Sequence, residues 1–208
     1  MTKKVRFLAV MVMLAPVLLT AVASDPPRVR PREASTYESR DSHEGITVAA
    51  EAYVTDEQIK TAFGNHDPRK YGVLAVYVVF FNTSKDALKL DTLDITLERA
   101  RMKFEQIPGG EVSRRLNGFK APNGVKPPKI KAPISPVVDQ EFLLKLIPPG
   151  ETAGGFLYFD RFFNLSGDGP TPSERAESHL YLNRIQWAGT GRELMFFDIA
   201  LPNNTRKP

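Results

Sequence analysis

The sequence predicts a mostly β domain of about seven strands with one to three short helices. A run of nine apolar residues at 73–81 is rich in β-branched and aromatic side chains, which favour strands. Apolar and polar residues alternate along 46–54, as in a half-buried strand. Two further alternating segments, 179–187 and 193–201, flank a Gly-Thr-Gly turn and predict a closing hairpin.

The N-terminus has the pattern of a secretory signal. Residues 1–6 carry Lys3, Lys4 and Arg6, residues 7–22 are apolar, and Ala21-Val22-Ala23 is a small-residue cleavage motif. We expect cleavage after Ala23 and an exported product, periplasmic or extracellular. The alternative is an uncleaved membrane anchor, although the apolar segment is short for a membrane span.

Removal of the signal changes the charge of the chain. The full sequence has 28 Lys plus Arg and 24 Asp plus Glu, and residues 1–23 hold three of the basic residues and no acid. The mature 185 residues therefore carry 25 basic and 24 acidic groups, a net charge of +1. We expect one domain, no binding to nucleic acid and no stable membrane span after processing. The chain has no cysteine, which excludes disulfides, thiolate metal sites and a thiol nucleophile.

Residues 24–44 predict a disordered arm because they combine prolines, Arg28, Arg30, Arg32 and polar residues with little to bury. The arginines also offer contacts to an anionic surface such as lipid head groups. The strand at 46–54 would then be the first of the domain.

A short helix is expected after this strand. Thr55 and Gln58 form a capping box, Ile59, Ala62 and Phe63 form an apolar stripe, and Gly64 ends the helix. We place it over one end of the domain, where the chain would cross between sheets. The strand at 73–82 follows, and its unbroken apolar run predicts cover on both faces.

Residues 88–97 predict a second core strand, joined to 73–82 by a hairpin. Another alternating segment covers 99–107, with Met102, Phe104 and Ile107 as its apolar members, and 111–116 fits one helical turn. Residues 119–137 are rich in proline, with four lysines and no acid, so we expect neither a helix nor a central strand there. This connection either packs over a sheet face or contacts a partner.

Residues 139–147 fit a helix capped by Asp139 or a strand with Phe142, Leu144 and Leu146 inward, and the helix is favoured. A turn at 148–151 leads to a strand at 154–159, where Gly154 and Gly155 permit a bulge or the close approach of another backbone. A polar loop at 162–177 precedes the closing hairpin.

These elements together favour an immunoglobulin-like β-sandwich over residues 45–202, between the arm and a tail at 203–208. The cysteine pair and packed tryptophan of antibody domains are missing. The chain resembles uncharacterised exported bacterial proteins with an immunoglobulin-like domain. The resemblance is carried by structural motifs at 45–53, 76–82, 149–150, 155–159 and 193–198. It implies the fold and an exported location, and it transfers no activity and no site residue.

No pattern of catalytic, cofactor or metal residues emerges. His43 lies near Asp41 and Glu44 in the predicted arm, His66 lies beside Asp67 in a turn, and His179 begins a strand at the surface. Asp91 and Asp94 are three residues apart on a strand and would face opposite sides. We therefore predict a non-enzymatic protein without a cofactor. The alternative is a hydrolase or metal-binding protein that uses loops around His66, Asp160 and Asp168.

A local basic surplus marks the best candidate surface. Nine Lys or Arg lie between residues 99 and 131, against Glu105 and Glu111. The candidate partner-binding residues are Lys120, Lys126, Lys129 and Lys131. They suit an anionic envelope surface or a protein partner. The alternative is a solvated basic edge that prevents strand aggregation. The expected function is that of an exported interaction or structural module of the cell envelope.

Overall fold

The computed structural model describes residues 28–118, 133–160, 177–194 and 196–202. Within these ranges the chain is mostly β, with eleven strands in three antiparallel sheets and three α-helices. The strands are β1 (Arg40–His43), β2 (Ile46–Tyr53), β3 (Val73–Asn82), β4 (Leu88–Lys89), β5 (Asp94–Arg99), β6 (Met102–Glu105), β7 (Leu146–Ile147), β8 (Thr152–Asp160), β9 (Ser178–Asn183), β10 (Gln186–Trp187) and β11 (Phe197–Leu201). The helices are α1 (Asp56–Phe63), α2 (Gly109–Leu116) and α3 (Ser135–Val138), with 3-10 turns at Ala34–Thr36 and Pro68–Tyr71. None of the helices in this part of the chain is both long and apolar enough to cross a membrane.

Strand β3 is the centre of the first sheet, whose order is β1-β2-β3-β8. All ten of its residues are buried, so the prediction that both of its faces are covered is confirmed. Alternate side chains, such as Val76 and Phe80, enter a core that the first sheet shares with the sheet β11-β9-β5-β6. The small sheet β10-β4-β7 adds Leu88, Ile147 and Trp187 to the same core.

The other face of the first sheet carries a second apolar cluster. Tyr77 of β3 and Phe156 of β8 pack there against Phe63 of α1, Val112 of α2 and Val137 of α3. The three helices therefore lie on the outer face of the first sheet.

Helix α1 begins and ends as predicted. The Gln58 amide donates to the Thr55 hydroxyl at 3.2 Å, and Gly64 ends the helix with a φ of 64°. Its predicted place between two sheets is wrong, because β2 and β3 on either side of α1 are neighbours in one sheet. The helix buries its apolar stripe against the outer face instead.

The predicted disordered arm is wrong for the residues from Ala34 to His43. Strand β1 pairs with β2, which makes β2 the second strand, and Tyr37 is only 2% exposed in the second cluster. The segment is ordered because the Tyr37 ring is buried and because β1 forms backbone hydrogen bonds with the edge of β2.

The hairpin predicted between 73–82 and 88–97 does not form. Strand β4 pairs in the small sheet and β5 in the third, so the chain leaves the first sheet after β3. Asn82 fixes this departure, since its Nδ2 donates to the carbonyls of Asp86, Ile147 and Pro148 at 2.8, 3.1 and 3.0 Å.

Strand β6 and helix α2 follow where alternation and helical spacing predict them. Phe104 is buried, whereas Met102 is exposed, and α2 begins two residues earlier than the predicted turn. Of the proline- and lysine-rich connection, residues 119–132 lie outside the described ranges. The prediction that it holds no helix is wrong at Ser135–Val138, because Pro136 occupies the first turn, where proline is tolerated.

Neither prediction for residues 139–147 is correct. Phe142 is buried, but Leu144 and Leu146 face solvent. Backbone bonds to Phe156 hold this segment along β8: the Phe156 amide donates to the Gln140 carbonyl at 2.7 Å, and the Phe142 amide donates to the Phe156 carbonyl at 2.9 Å.

The close approach of another backbone is confirmed at Gly155, whereas the atoms nearest to Gly154 belong to the side chains of Tyr77 and Pro31. A Cβ on Gly155 would lie 2.8 Å from the Phe142 Cα. The closing hairpin is also confirmed, since β9 and β11 pair from Ser178↔Leu201 to Leu182↔Phe197. Residues 161–176, which hold most of the predicted polar loop, lie outside the described ranges.

Candidate functional site

The four candidate partner-binding lysines, Lys120, Lys126, Lys129 and Lys131, lie outside the described residues. Among the basic residues that precede them in the sequence, at positions 99–115, fewer are free and exposed than the sequence suggests. Arg99 is only 1% exposed, within β5. Arg115 pairs with Glu111 at 3.0 Å and with Asp160. Arg101 and Lys103 remain exposed.

The histidines and carboxylates singled out in the sequence form local pairs. His43 Nε2 lies 2.9 Å from Asp41, and His179 Nδ1 lies 2.8 Å from Asp198. Glu44 pairs with Arg192, and Asp91 lies 3.4 Å from Lys89. Within the described ranges, no group of three or more His, Asp or Glu side chains is arranged to hold a metal ion.

The loops proposed for a hydrolase or metal site are occupied by arginine contacts. Arg115 binds Asp160, and Arg69 binds Asp67, the neighbour of His66, at 2.9 Å. Asp168 lies outside the described residues. Asp160 and Asp67 are thus the acidic partners of two arginines.

The structure instead shows a groove formed by the chain's own N-terminal segment, residues 28–37. Both backbone groups of Val29 are held by distant side chains: the amide donates to Gln140 Oε1 at 2.7 Å, and the carbonyl accepts from the Tyr77 hydroxyl at 3.2 Å. Gln140 is itself buried, and its Nε2 donates to the carbonyls of Ala62 and Pro136, each at 2.9 Å. One glutamine therefore ties the N-terminal segment to α1 and α3.

The groove lies between the N-terminal segment, β2 and α1, and encloses about 260 Å³. A second hollow of about 230 Å³ continues on the other side of Arg32. Four residues line both hollows: Arg32, Tyr37, Glu51 and Gln58. Six further residues complete the lining of the first: Val29, Arg30, Tyr53, Glu57, Thr61 and Tyr77.

Glu51 is the carboxylate between the two hollows. It accepts hydrogen bonds from Arg32 at 2.8 Å and from Gln58 Nε2 at 3.1 Å. The Arg32 guanidinium also lies 4.7 Å from the centre of the Tyr37 ring, and the Arg32 amide donates to the Tyr37 hydroxyl at 3.1 Å. These contacts fix a charged bridge across the groove, although an ion pair this exposed adds little stability by itself.

The tyrosines beneath this bridge keep their protons. Burial, with the nearby Glu51 charge, raises the pKa of Tyr53 to about 12. Burial also raises the pKa of Tyr77. At neutral pH both groups are therefore neutral hydroxyls that can donate a hydrogen bond, as Tyr77 does to the Val29 carbonyl.

Sequence reasoning missed this groove. One local signal was present, because Glu51 and Tyr53 occupy the alternate positions of β2 that face away from the shared core. Gln140 gives no such signal, since two of the three backbone groups that it binds, those of Val29 and Ala62, are far away in the sequence.

No protein-family model matches the chain, and no curated protein matches it. Among solved structures, the chain is similar to a candidate lipoprotein of Bacillus subtilis, with 14% identity, a TM-score of 0.43 and coverage of 80% of this chain. It is also similar to a functionally unknown protein of Listeria monocytogenes, with 13% identity, a TM-score of 0.39 and coverage of 79% of this chain and 81% of the other. The match spans 39% of the Bacillus chain. Similarity at this level does not assign the chain to a family.

Proposed function

We propose that the chain is an exported, non-enzymatic interaction module of the cell envelope, built on an immunoglobulin-like β-sandwich, and that a protein partner docks in the groove at Glu51. The proposal rests on the position of the N-terminal segment. Gln140 and Tyr77 bind the backbone of Val29, and the segment therefore forms one side of an open groove. A polar groove with fixed hydrogen-bonding groups suits recognition of a partner segment.

The strand order supports an immunoglobulin-like arrangement. Strand β3 lies between β2 and β8, as strand B lies between A and E. Strand β9 lies between β11 and β5, as F lies between G and C, and β6 takes the place of C′. The chain also changes sheets after β3, after β6 and after β8, which matches the B–C, C′–E and E–F connections of that fold.

The signal pattern at residues 1–23 supports export. A C-terminally tagged chain expressed in bacteria should shorten on export by the mass of these residues, as read on a blot. An unchanged mass would contradict cleavage and favour the uncleaved anchor.

Photo-crosslinking in intact cells tests docking in the groove. A photoreactive amino acid replaces Thr61, which is exposed on α1 at the groove wall. The matched control replaces Thr190, which is exposed in the turn after β10. We expect discrete cross-linked protein bands from position 61 that are absent from position 190. No bands at position 61, or the same bands at both positions, would overturn the proposal.

A further inference from the structure

Three leucines are exposed on one short segment, residues 143–146, called here the leucine loop, whose last residue begins β7. Leu143, Leu144 and Leu146 are 67%, 48% and 51% exposed. The flanking Phe142 and Ile147 are buried in the shared core, and the Phe142 ring stacks on Phe80 with centroids 5.2 Å apart. The loop is therefore anchored at both ends and presents its leucines outward.

The charge around this loop is positive where the N-terminal segment meets it. Lys145 is exposed between the leucines, and Glu141, which precedes the loop, is half-buried. Asp91 lies 3.4 Å from Lys89, the strand partner of Leu146. The backbone of Gln140 lies at most about 10 Å along the chain from Leu143. The Gln140 side chain binds the Val29 amide, and Arg28 and Arg30 flank Val29. Both arginines are exposed, and neither forms an ion pair with a described residue.

Until the predicted signal is cleaved, it keeps this face within reach of a membrane. The apolar core of the predicted signal ends at residue 22, six residues before Arg28. Six residues span at most about 20 Å. A chain held at the membrane by that segment, during export or as an anchor, thus brings residues 28–30 and the leucine loop close to the bilayer surface.

We infer that residues 143–146 insert into the surface of an anionic lipid bilayer, with Arg28, Arg30 and Lys145 facing the head groups. Exposed apolar side chains bordered by basic residues are typical of interfacial membrane binding. This inference rests on the proposed export. Its leucines, Arg28 and Lys145 lie outside the groove, and Arg30 is the one residue that both surfaces share.

Vesicle co-sedimentation of the exported chain tests it. The probes are vesicles of phosphatidylglycerol with phosphatidylcholine, and vesicles of phosphatidylcholine alone. We expect binding to the anionic vesicles that persists in part at high salt, because salt screens the basic residues but not the leucines. The variant L143S/L144S/L146S should bind more than about tenfold more weakly. The control M102S/F196S removes exposed apolar side chains elsewhere and should bind like the wild type.

Three results would overturn the inference. The first is that the wild type does not bind anionic vesicles, and the second is that the triple leucine variant binds them as well as the wild type does. The third is that the wild type binds no vesicles but forms a dimer in sedimentation equilibrium, and that the triple variant is a monomer. The last would assign the loop to a second copy of the chain. The single variant L143S, at the most exposed leucine, replaces the triple variant if that protein melts early. Cross-links from position 61 report on the groove independently, so the two proposals fail separately.

Discussion

At the scale of single residues, Gly155 has the tightest packing requirement in β8. A Cβ there would lie 2.8 and 2.9 Å from the Cα and N of Phe142, and backbone cannot move aside as a flexible side chain can. Gly155→Ala should therefore destabilise the fold by about 1–3 kcal/mol in urea unfolding. Gly189→Ala is the matched control, because no atom lies within 4 Å of its Cβ position. Equal effects of the two substitutions would contradict the close approach.

Asp67 should make stability depend on pH in the acid range. The hydrogen bond from the Arg69 side chain is the largest cause that lowers the pKa of Asp67 below its ordinary value of 3.8. The folded state thus favours the carboxylate, and the resulting stability is complete above 3.8 and is lost as the pH falls through the lower folded pKa.

Asp67→Asn should therefore be less stable than the wild type at pH 6, and the difference should shrink toward pH 2 in urea unfolding curves. Asp94→Asn, at the exposed start of β5, serves as the control. A difference that stays constant with pH would show that the Asp67 charge does not matter.

The candidate site shows which residues a sequence can reveal. Glu51 and Tyr53 stand at alternate positions of one strand, so their shared face follows from local geometry. Gln140 binds groups of residues 29, 62 and 136, and no local pattern indicates the two distant partners, residues 29 and 62. For the same reason, the sequence does not indicate that Arg99 is buried. Its strand, β5, lies between β9 and β6 in the third sheet.

At the scale of elements, the N-terminal segment depends on Gln140. Gln140→Met keeps the volume but removes the acceptor for Val29 and the donor for the Ala62 and Pro136 carbonyls. We expect a loss of about 1–3 kcal/mol for the groups left unpaired. Trypsin should also cut faster after Arg28 and Arg32, while the Arg30–Pro31 bond resists trypsin in any state. The control is Gln186→Met in β10. Unchanged cleavage after Arg28 and Arg32 would show that Gln140 does not hold the segment.

Elements with local signals were predicted well, and pairings between elements were not. Helix α1 carries its own cap and stop, and the apolar run of β3 requires cover on both faces. Strands β4 and β5 form one alternating stretch in the sequence, but Asn82 and the turn at Leu90–Leu93 send them to different sheets. The partner that hydrogen-bonds to the edge of a strand is decided by contacts with residues far away in the chain. The alternation of polar and apolar residues within the strand does not indicate that partner.

At the scale of the whole molecule, the first sheet joins the two apolar clusters. Alternate side chains of β2, β3 and β8 enter the shared core and the outer cluster, so neither cluster can open without disrupting these strands. The mostly β class was predictable from alternation and composition. The folded N-terminal segment was not predictable, because its composition is mostly polar. Its order depends on one buried ring, that of Tyr37, and on the two hydrogen bonds of the Val29 backbone.

Native-state hydrogen exchange of the whole chain tests the central claim, that the N-terminal segment is a built wall of the groove. The amides of Val29 and Arg32 are bonded to Gln140 and to the Tyr37 hydroxyl at 2.7 and 3.1 Å. We predict that both exchange at least about tenfold more slowly than in an unfolded peptide, with Val29 exchanging faster in Gln140→Met. Exchange of both amides at the unfolded rate, while β3 remains protected, would contradict the claim.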